Sequence, residues 1–179
     1  MGCWGITALE SDDGLDAVGC IRHNLPKDGQ LDLGEMLEPL KKDQWNAPCD
    51  VKLGCAHTSP MALAEIVVKY LDGDPGSLDD EWAAKDNKFR SITSFTASRS
   101  ALLELRDYLA DTLKYARIRA EQQIKAGELP GGWFDPKDWD RWQKHMEGLI
   151  HRLDGVLALE SSTLELARPP APAAPELTV

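Results

Sequence analysis

Long hydrophobic runs are missing from this chain of 179 residues. No apolar stretch approaches the length of about 20 residues that spans a bilayer. The first residues also lack the basic region and apolar core of a secretory signal. We therefore expect a cytoplasmic protein that neither crosses nor binds a membrane.

Basic side chains are in the minority, with 20 Lys and Arg against 30 Asp and Glu and a formal net charge of −10. That charge repels phosphate backbones and anionic headgroups over a Debye length of about 10 Å, so nucleic acid is not an expected partner. It suits a basic protein partner, because complementary fields speed encounter and reject wrong partners. The alternative interpretation is that the charge only keeps the protein soluble.

Cysteine is scarce, with four residues at Cys3, Cys20, Cys49 and Cys55. In a cytoplasmic chain we expect small buried thiols rather than disulfides. Cys49, Cys55 and His57 are close enough in sequence to suggest a zinc site, but they lack the paired Cys-x-x-Cys spacing that such sites use. The sequence therefore predicts neither a metal nor a cofactor.

Catalytic motifs are also absent: there is no G-x-S-x-G elbow, P-loop or dinucleotide fingerprint. Paired carboxylates are so plentiful that each pair is weak evidence for acid–base chemistry. His145 and His151 are six residues apart in a predicted helix, which places them on opposite sides of it. Each histidine is predicted to be a surface or capping residue, and the chain is not predicted to be an enzyme.

The most distinctive stretch is the opening, Met1-Gly2-Cys3-Trp4-Gly5-Ile6, which leads into the acidic residues Glu10–Asp16. Two glycines around a tryptophan indicate a tight backbone path, so we expect Trp4 to be buried against the helical body. Ser11 is the predicted cap of the first helix. This opening resembles a bacterial family of unknown function whose members begin Met-Gly-x-Trp-Gly and continue into an acidic helix start. That family carries no established activity, so the resemblance assigns none.

Helical periodicity dominates the rest of the chain and predicts helices over residues 11–25, 31–42, 59–72, 98–126 and 136–159. The last two are the longest, and a short loop joins them. We expect them to pack as an antiparallel hairpin that contributes most of the core. The predicted fold is mainly α, a helical bundle with little or no sheet, although Phe89–Phe95 fits either a short strand or a further helical turn.

One boundary divides the chain into two regions by composition. Residues 1–165 are predicted to form a single helical domain, because the chain is of one-domain size and the helical pattern continues to its end. Residues 166–179 are predicted to be a flexible tail rich in Pro and Ala, because the stretch from Arg168 to Pro175 lacks both periodicity and large apolar groups. Within the long helix a basic cluster is interrupted by Glu121 and is predicted to be a solvated face. Its members are Lys114, Arg117, Arg119 and Lys125.

The candidate binding surface is an acidic stretch that follows the third predicted helix, which we call the acidic segment (residues 72–82). Its carboxylates would meet Lys and Arg of a partner, and a tryptophan would supply apolar contact area. The predicted contact residues are Asp72, Asp74, Asp79, Asp80, Glu81 and Trp82.

Small size, acidity, helical build and the absence of an active-site motif predict a protein-binding module. We expect an immunity or antitoxin-like protein, which neutralises a bacterial toxin by occluding a basic surface on a toxin domain. The alternative is a small enzyme, or a metal- or ligand-binding protein, whose acidic side chains converge only in the fold. The sequence makes no prediction of oligomeric state.

Overall fold

A computed structural model describes residues 2–53, 58–80, 88–131 and 135–167. Its helices are α1 (Asp12–His23), α2 (Leu33–Lys42), α3 (Thr58–Leu71), α4 (Ser77–Asp80), α5 (Arg99–Lys125) and α6 (Trp139–Leu157). Short 3₁₀ helices cover Ala8–Glu10, Val51–Leu53 and Pro136–Asp138. Three short strands are β1 (Gln30–Asp32), β2 (Ser94–Ser98) and β3 (Thr163–Glu165). The fold is therefore mainly helical, with a small sheet.

The sheet has the order β1-β2-β3. Strands β1 and β2 are parallel, with Leu31 opposite Phe95, and β3 is antiparallel to β2, with Leu164 opposite Ala97. All four of these side chains are buried. The sheet thus holds together segments that lie far apart in the sequence.

A glycine turn fixes the start of the sheet. Gly29 has a φ of 74°, a left-handed conformation that favours glycine. Its carbonyl accepts hydrogen bonds from the backbone N–H groups of Thr93, at 2.9 Å, and Ser94, at 3.1 Å. A Cβ at Gly29 would lie 2.8 Å from the carbonyl oxygen of Ser91, so a side chain there would disturb the pairing of β1 with β2.

The predicted helix over residues 31–42 is wrong in its first turn. Leu31 lies in a strand, and α2 begins at Leu33, because Asp32 is in an extended conformation and caps the helix. The Asp32 carboxylate accepts a hydrogen bond from the backbone N–H of Gly34 at 2.8 Å. Asp32 is therefore both the last residue of β1 and the N-cap of α2.

The prediction that Trp4 is buried is also wrong, since its side chain is 60% exposed. Backbone hydrogen bonds, and not burial of the indole ring, fix the N-terminal segment. The N–H of Trp4 donates to the carbonyl of Glu10 at 3.0 Å. Gly5 leaves room for the Glu10 carboxylate, which accepts from the N–H of Ile6 at 3.0 Å. The predicted cap at Ser11 is correct, because its hydroxyl accepts from the N–H of Gly14 at 3.1 Å.

The centre of the core is α3, where every residue from Met61 to Val67 is buried. This helix packs against α1, α5 and α6, so it is enclosed on several sides. The expectation that the two long C-terminal helices contribute most of the core therefore does not hold. They contribute one wall of it, with Leu102, Leu105, Leu109, Trp142 and Met146 among its buried side chains.

Helices α5 and α6 contact each other in opposite chain directions. Near the start of α5, Arg106 Nε donates to Asp154 near the end of α6 at 2.9 Å. Farther along α5, Arg117 Nε donates to Gln143 near the start of α6 at 2.8 Å. The loop residues 132–134 lie outside the described residues, so a continuous hairpin stays a prediction.

The end of the described chain belongs to the folded body. Leu166 is fully buried, and its backbone N–H donates to the carbonyl of Phe95 at 2.8 Å. The tail predicted from residue 166 therefore begins too early by at least this residue, and residues 168–179 lie outside the described part. Within the described ranges, no helix is both long enough and apolar enough to cross a bilayer.

Candidate functional site

Among the described residues of the acidic segment, each exposed carboxylate is matched by a basic side chain. Their ion pairs have N–O distances of 2.5 to 3.4 Å. The pairs are Asp72 with Arg152, Asp74 with Lys69 and Asp80 with Arg90. Exposed pairs of this kind stabilise a fold by about 0–1 kcal/mol, but they remove negative charge from the surface. The pKa of Asp74 lies below its ordinary value, first because of the neighbouring Ser77 side chain and then because of Lys69.

Asp79 has a different position from the one predicted, because it is 1% exposed. Its carboxylate accepts from Arg22 Nη1 at 2.9 Å and from the backbone N–H groups of Phe89 and Arg90, each at 3.0 Å. Arg22 is also buried, and its guanidinium lies 5.9 Å from the centre of the Phe89 ring. Asp79 therefore joins α4 to α1 inside the protein and does not lie on the surface.

The remaining predicted contact residues, Glu81 and Trp82, lie outside the described residues. The binding role of the acidic segment stays a prediction. Its described surface carries Asp72, Asp74 and Asp80, all of them exposed and ion-paired.

A groove opens elsewhere, where the carboxyl ends of β1 and β2 lead directly into α2 and α5. Because β1 and β2 are parallel, both helices begin at the same edge of the sheet, the edge at which open α/β sheets bind ligands. The groove has a volume of about 690 Å³. It is lined by residues of 32–42 and 98–104 together with Asn24.

Two capping side chains shape the mouth of this groove. Asp32 caps α2, and the hydroxyl of Ser98 caps α5 by accepting from the N–H of Ala101 at 3.2 Å. Leu37, Pro39 and Ala101 contribute apolar lining. The groove therefore combines an apolar floor with polar groups at the starts of two helices.

The rim of the groove carries more negative than positive charge. Its four carboxylates are those of Asp32, Glu35, Glu38 and Glu104. Lys41 contacts Glu104 closely and lies 3.3 Å from Glu38, and Lys42 lies 3.6 Å from Glu38. Asp32 and Glu35 have no ion-pair partner among the residues that the structure describes. The rim thus keeps a surplus of two negative charges.

The ionisation of the rim follows from these contacts. The pKa of Lys41 is raised, first by its hydrogen bond to Glu104. The pKa of Glu38 is lowered, first by its hydrogen bond to Lys41. Both groups therefore stay charged around neutral pH, and the rim remains acidic.

An apolar floor under an acidic rim fits a lysine or arginine side chain. The aliphatic stem of such a residue packs on apolar surface while its charged end remains near polar groups. Hydrogen bonds between a cation and a carboxylate are stronger than neutral ones. The lining of the groove is therefore chemically compatible with a basic side chain.

The groove was not predicted from the sequence. Its signal was present in the two capping residues, Asp32 and Ser98, each of which stands directly before an apolar-periodic helix. What the sequence pattern did not show is that two strands pair in parallel and bring these caps to one edge.

A second feature absent from the predictions is the buried carboxylate of Glu65, which is 6% exposed in the middle of α3. It accepts from the backbone N–H groups of Ala8, at 2.8 Å, and Leu9, at 3.1 Å. His145 Nε2 lies 2.7 Å from Glu65 Oε1. The sequence signal was a glutamate inside the apolar run from Met61 to Val67.

This arrangement corrects the prediction for His145, which is 22% exposed and paired with a buried carboxylate. Because donors occupy both oxygens of Glu65, the carboxylate connects three parts of the fold: the N-terminal segment, α3 and α6. We call this contact the Glu65 joint. An unsatisfied buried carboxylate would be unfavourable, so the three donors explain why Glu65 is tolerated in the core.

No group of three or more His, Cys, Asp or Glu that could hold a metal occurs within the described ranges. Of the suggested zinc ligands, Cys55 and His57 lie outside those ranges. Cys3 and Cys20 are free thiols of intermediate burial rather than fully buried ones. Burial raises the pKa of the Cys20 thiol, which keeps it protonated and poorly reactive.

Comparison with known proteins adds no relative to this description. No family model, no curated protein and no solved structure matches the chain.

Proposed function

We propose that this protein is a protein-binding module of the immunity or antitoxin type, which acts in the cytoplasm by occluding a basic surface on a toxin domain. The net charge of −10 supports this proposal, since it favours encounter with a basic partner. The mechanism is steric and electrostatic, because carboxylates would cover Lys and Arg residues that the toxin uses for its own target.

The groove carries this proposal. It offers a surplus of negative charge beside apolar surface, and Glu35 on its rim is exposed and has no ion-pair partner among the described residues. A basic side chain that enters the groove gains a counter-charge without breaking an existing ion pair. We therefore place the main contact here.

The acidic segment is the second contact in this proposal. Asp72, Asp74 and Asp80 are exposed, but a basic partner must compete there with Arg152, Lys69 and Arg90. Rim charges of this kind act mainly on the association rate and its salt dependence. Trp82 would supply the apolar contact area that interface hot spots use.

The test is to purify the protein from its native cell, identify what purifies with it, and measure the affinity of that partner at low and moderate salt. The groove variant is Glu35→Lys. The matched control is Glu160→Lys, which makes the same charge change at an exposed site after α6. Circular dichroism shows whether both variants keep the fold.

We expect Glu35→Lys to weaken binding strongly at low salt and less as salt rises, while Glu160→Lys has a small effect. The partner must also lose its toxic activity when it is bound. Equal effects of the two variants would exclude the groove as the contact. A co-purifying protein that is acidic, or that is not inhibited, would exclude the proposed function.

A further inference from the structure

A cationic cluster surrounds Tyr115 on α5. Lys52 Nζ lies 5.9 Å and Lys114 Nζ 5.4 Å from the centre of the Tyr115 ring. Arg119, one turn further along α5, donates from Nη1 to the carbonyl of Val51 at 3.0 Å. We call Lys52, Lys114, Tyr115 and Arg119 the lysine–tyrosine patch.

The patch combines two members of the sequence cluster on α5, Lys114 and Arg119, with Lys52, which tertiary structure brings to them. Lys52 comes from the 3₁₀ helix Val51–Leu53, which packs on α5. The bond from Arg119 to Val51 holds that short helix, and Lys52 with it, against α5. Arg117, which belongs to the sequence cluster, lies elsewhere and contacts Glu147.

The cations of the patch are not neutralised. Across the described residues, Lys52, Lys114 and Arg119 have no carboxylate within ion-pair distance, whereas many other basic side chains do. Examples are Arg106 with Asp154, Arg117 with Glu147, and Arg152 with Asp72. The ring of Tyr115 attracts both ammonium groups but supplies no compensating charge.

Three acidic residues are near the patch in the chain, Asp50, Asp111 and Glu121, and none is within ion-pair distance of a patch cation among the described residues. Asp50 accepts a hydrogen bond from the backbone N–H of Lys52 at 2.9 Å, so its carboxylate is directed to the backbone. Asp111, one turn before Tyr115, is exposed and makes no ion pair among the described residues. The patch therefore presents cations that no carboxylate of the described residues contacts, on a chain with a net charge of −10.

We propose that the lysine–tyrosine patch binds a small phosphate-type anion. Ammonium groups bind phosphate as point charges, and a guanidinium adds planar donors. A long polyanion such as nucleic acid would also meet the acidic remainder of the surface. A small anion meets only the local field, because salt screens charges beyond about 8 Å. This proposal does not depend on the proposed function.

The experiment is to titrate the full chain with inorganic pyrophosphate at low ionic strength, following backbone amide shifts by NMR. The test variants are Lys52→Gln and Lys114→Gln. The control is Lys144→Gln, which removes an exposed lysine on α6 that has no ion-pair partner among the described residues. Asp50→Asn is a second test, because it removes a negative charge and keeps the oxygen that accepts from Lys52.

We expect saturable binding with shifts at residues 51–53 and 114–119. Each test lysine variant should weaken it about fivefold, the effect of losing one ion contact at about 4 Å in water. Lys144→Gln should leave the affinity unchanged, and Asp50→Asn should increase it. Glycerol 3-phosphate distinguishes the source: binding of both ligands indicates a phosphate group as such, and binding of pyrophosphate alone indicates a free polyphosphate.

Three outcomes would overturn the proposal. The first is the absence of saturable binding by the wild-type chain. The second is an equal loss of affinity in Lys52→Gln, Lys114→Gln and Lys144→Gln. The third is the same pattern of shifts with sodium chloride at matched ionic strength, which would indicate general screening.

Discussion

The groove and the described part of the acidic segment each carry four carboxylates, yet their electrostatic settings differ. The four carboxylates of the groove are accompanied by two lysines, Lys41 and Lys42. The four of the segment are accompanied by four cations. These are Arg22, Lys69, Arg90 and Arg152. Equal numbers of acidic residues therefore give a surface with a negative surplus in one region and a balanced one in the other.

The difference arises from distance along the chain. Arg152 lies 80 residues from Asp72, and Arg22 lies 57 residues from Asp79. Counting the charges in a short stretch of sequence does not identify ion-pair partners that lie this far away. A run of acidic residues thus predicts a charged surface only where the fold brings no cations to it.

The largest expected effect is on the free energy of unfolding, where loss of a buried carboxylate of the segment should cost more than loss of an exposed one. Asp79→Asn should lower the free energy of unfolding by about 3–5 kcal/mol, because it removes the charge of a buried carboxylate that Arg22 and two backbone N–H groups contact. The neighbouring change Asp80→Asn should lower it by no more than about 1 kcal/mol, since that pair is exposed. Urea unfolding of the two variants makes the comparison, and similar midpoints would contradict the burial of Asp79.

The next effect compares the two regions as binding surfaces. Glu35→Lys should weaken binding of the basic partner about tenfold or more, which corresponds to about 1.4 kcal/mol. Asp74→Lys should weaken it less, because Lys69 already neutralises Asp74. Titration calorimetry with the identified partner measures both. A larger loss in Asp74→Lys would reverse the comparison and make the acidic segment the main contact.

A smaller effect comes from removing cations instead of anions. Lys42→Gln removes an exposed counter-charge from the groove, so affinity for the basic partner should rise about twofold to fivefold, within the range for exposed ion pairs. Lys69→Gln makes the same charge change beside the segment and should raise it less. Association rate constants measured at low salt compare the two variants most directly. If Lys69→Gln had the stronger effect, the groove would not be the main contact.

The smallest effect is a pH dependence. The pKa of Glu38 is lowered below its ordinary value of 4.5 by Lys41. A group with a lowered pKa contributes stability that is present above the ordinary pKa and lost as pH falls through the lower, folded value. Acid unfolding of Glu38→Gln should therefore show a slightly shallower loss of stability below pH 4.5 than the wild-type chain. An identical acid profile would indicate that Lys41 contacts only Glu104.

Sequence reasoning succeeded where the signal is local. Helical periodicity and the cap at Ser11 predicted helices correctly, because both depend on neighbours within one or two turns. The prediction that Trp4 is buried failed, because a tryptophan between two glycines does not indicate whether backbone hydrogen bonds or side-chain burial fix the segment. The sequence around Phe95 fits either a strand or a helical turn, and Phe95 lies in a strand whose partner β1 is more than sixty residues away.

The functional features were the least predictable. The groove needs the parallel pairing of β1 and β2, and the lysine–tyrosine patch needs Lys52 to approach α5. The groove and the patch each join residues that lie far apart in the sequence, and no periodic pattern relates those residues. Glu65 was detectable as a charge in an apolar run, but its donors, Ala8, Leu9 and His145, were not. The resemblance of the first residues to an uncharacterised bacterial family remains a prediction.

The residues of the Glu65 joint are synthesised at widely separated times, which affects when the joint can form. Ala8 precedes Glu65 by 57 residues, and His145 follows it by 80. Chain elongation at about 5–20 residues per second takes on the order of ten seconds to pass from the first of these residues to the last. Throughout that time the nascent N-terminal segment lacks part of its final environment. Because such long-range contacts close slowly, we expect this joint to be completed late in folding.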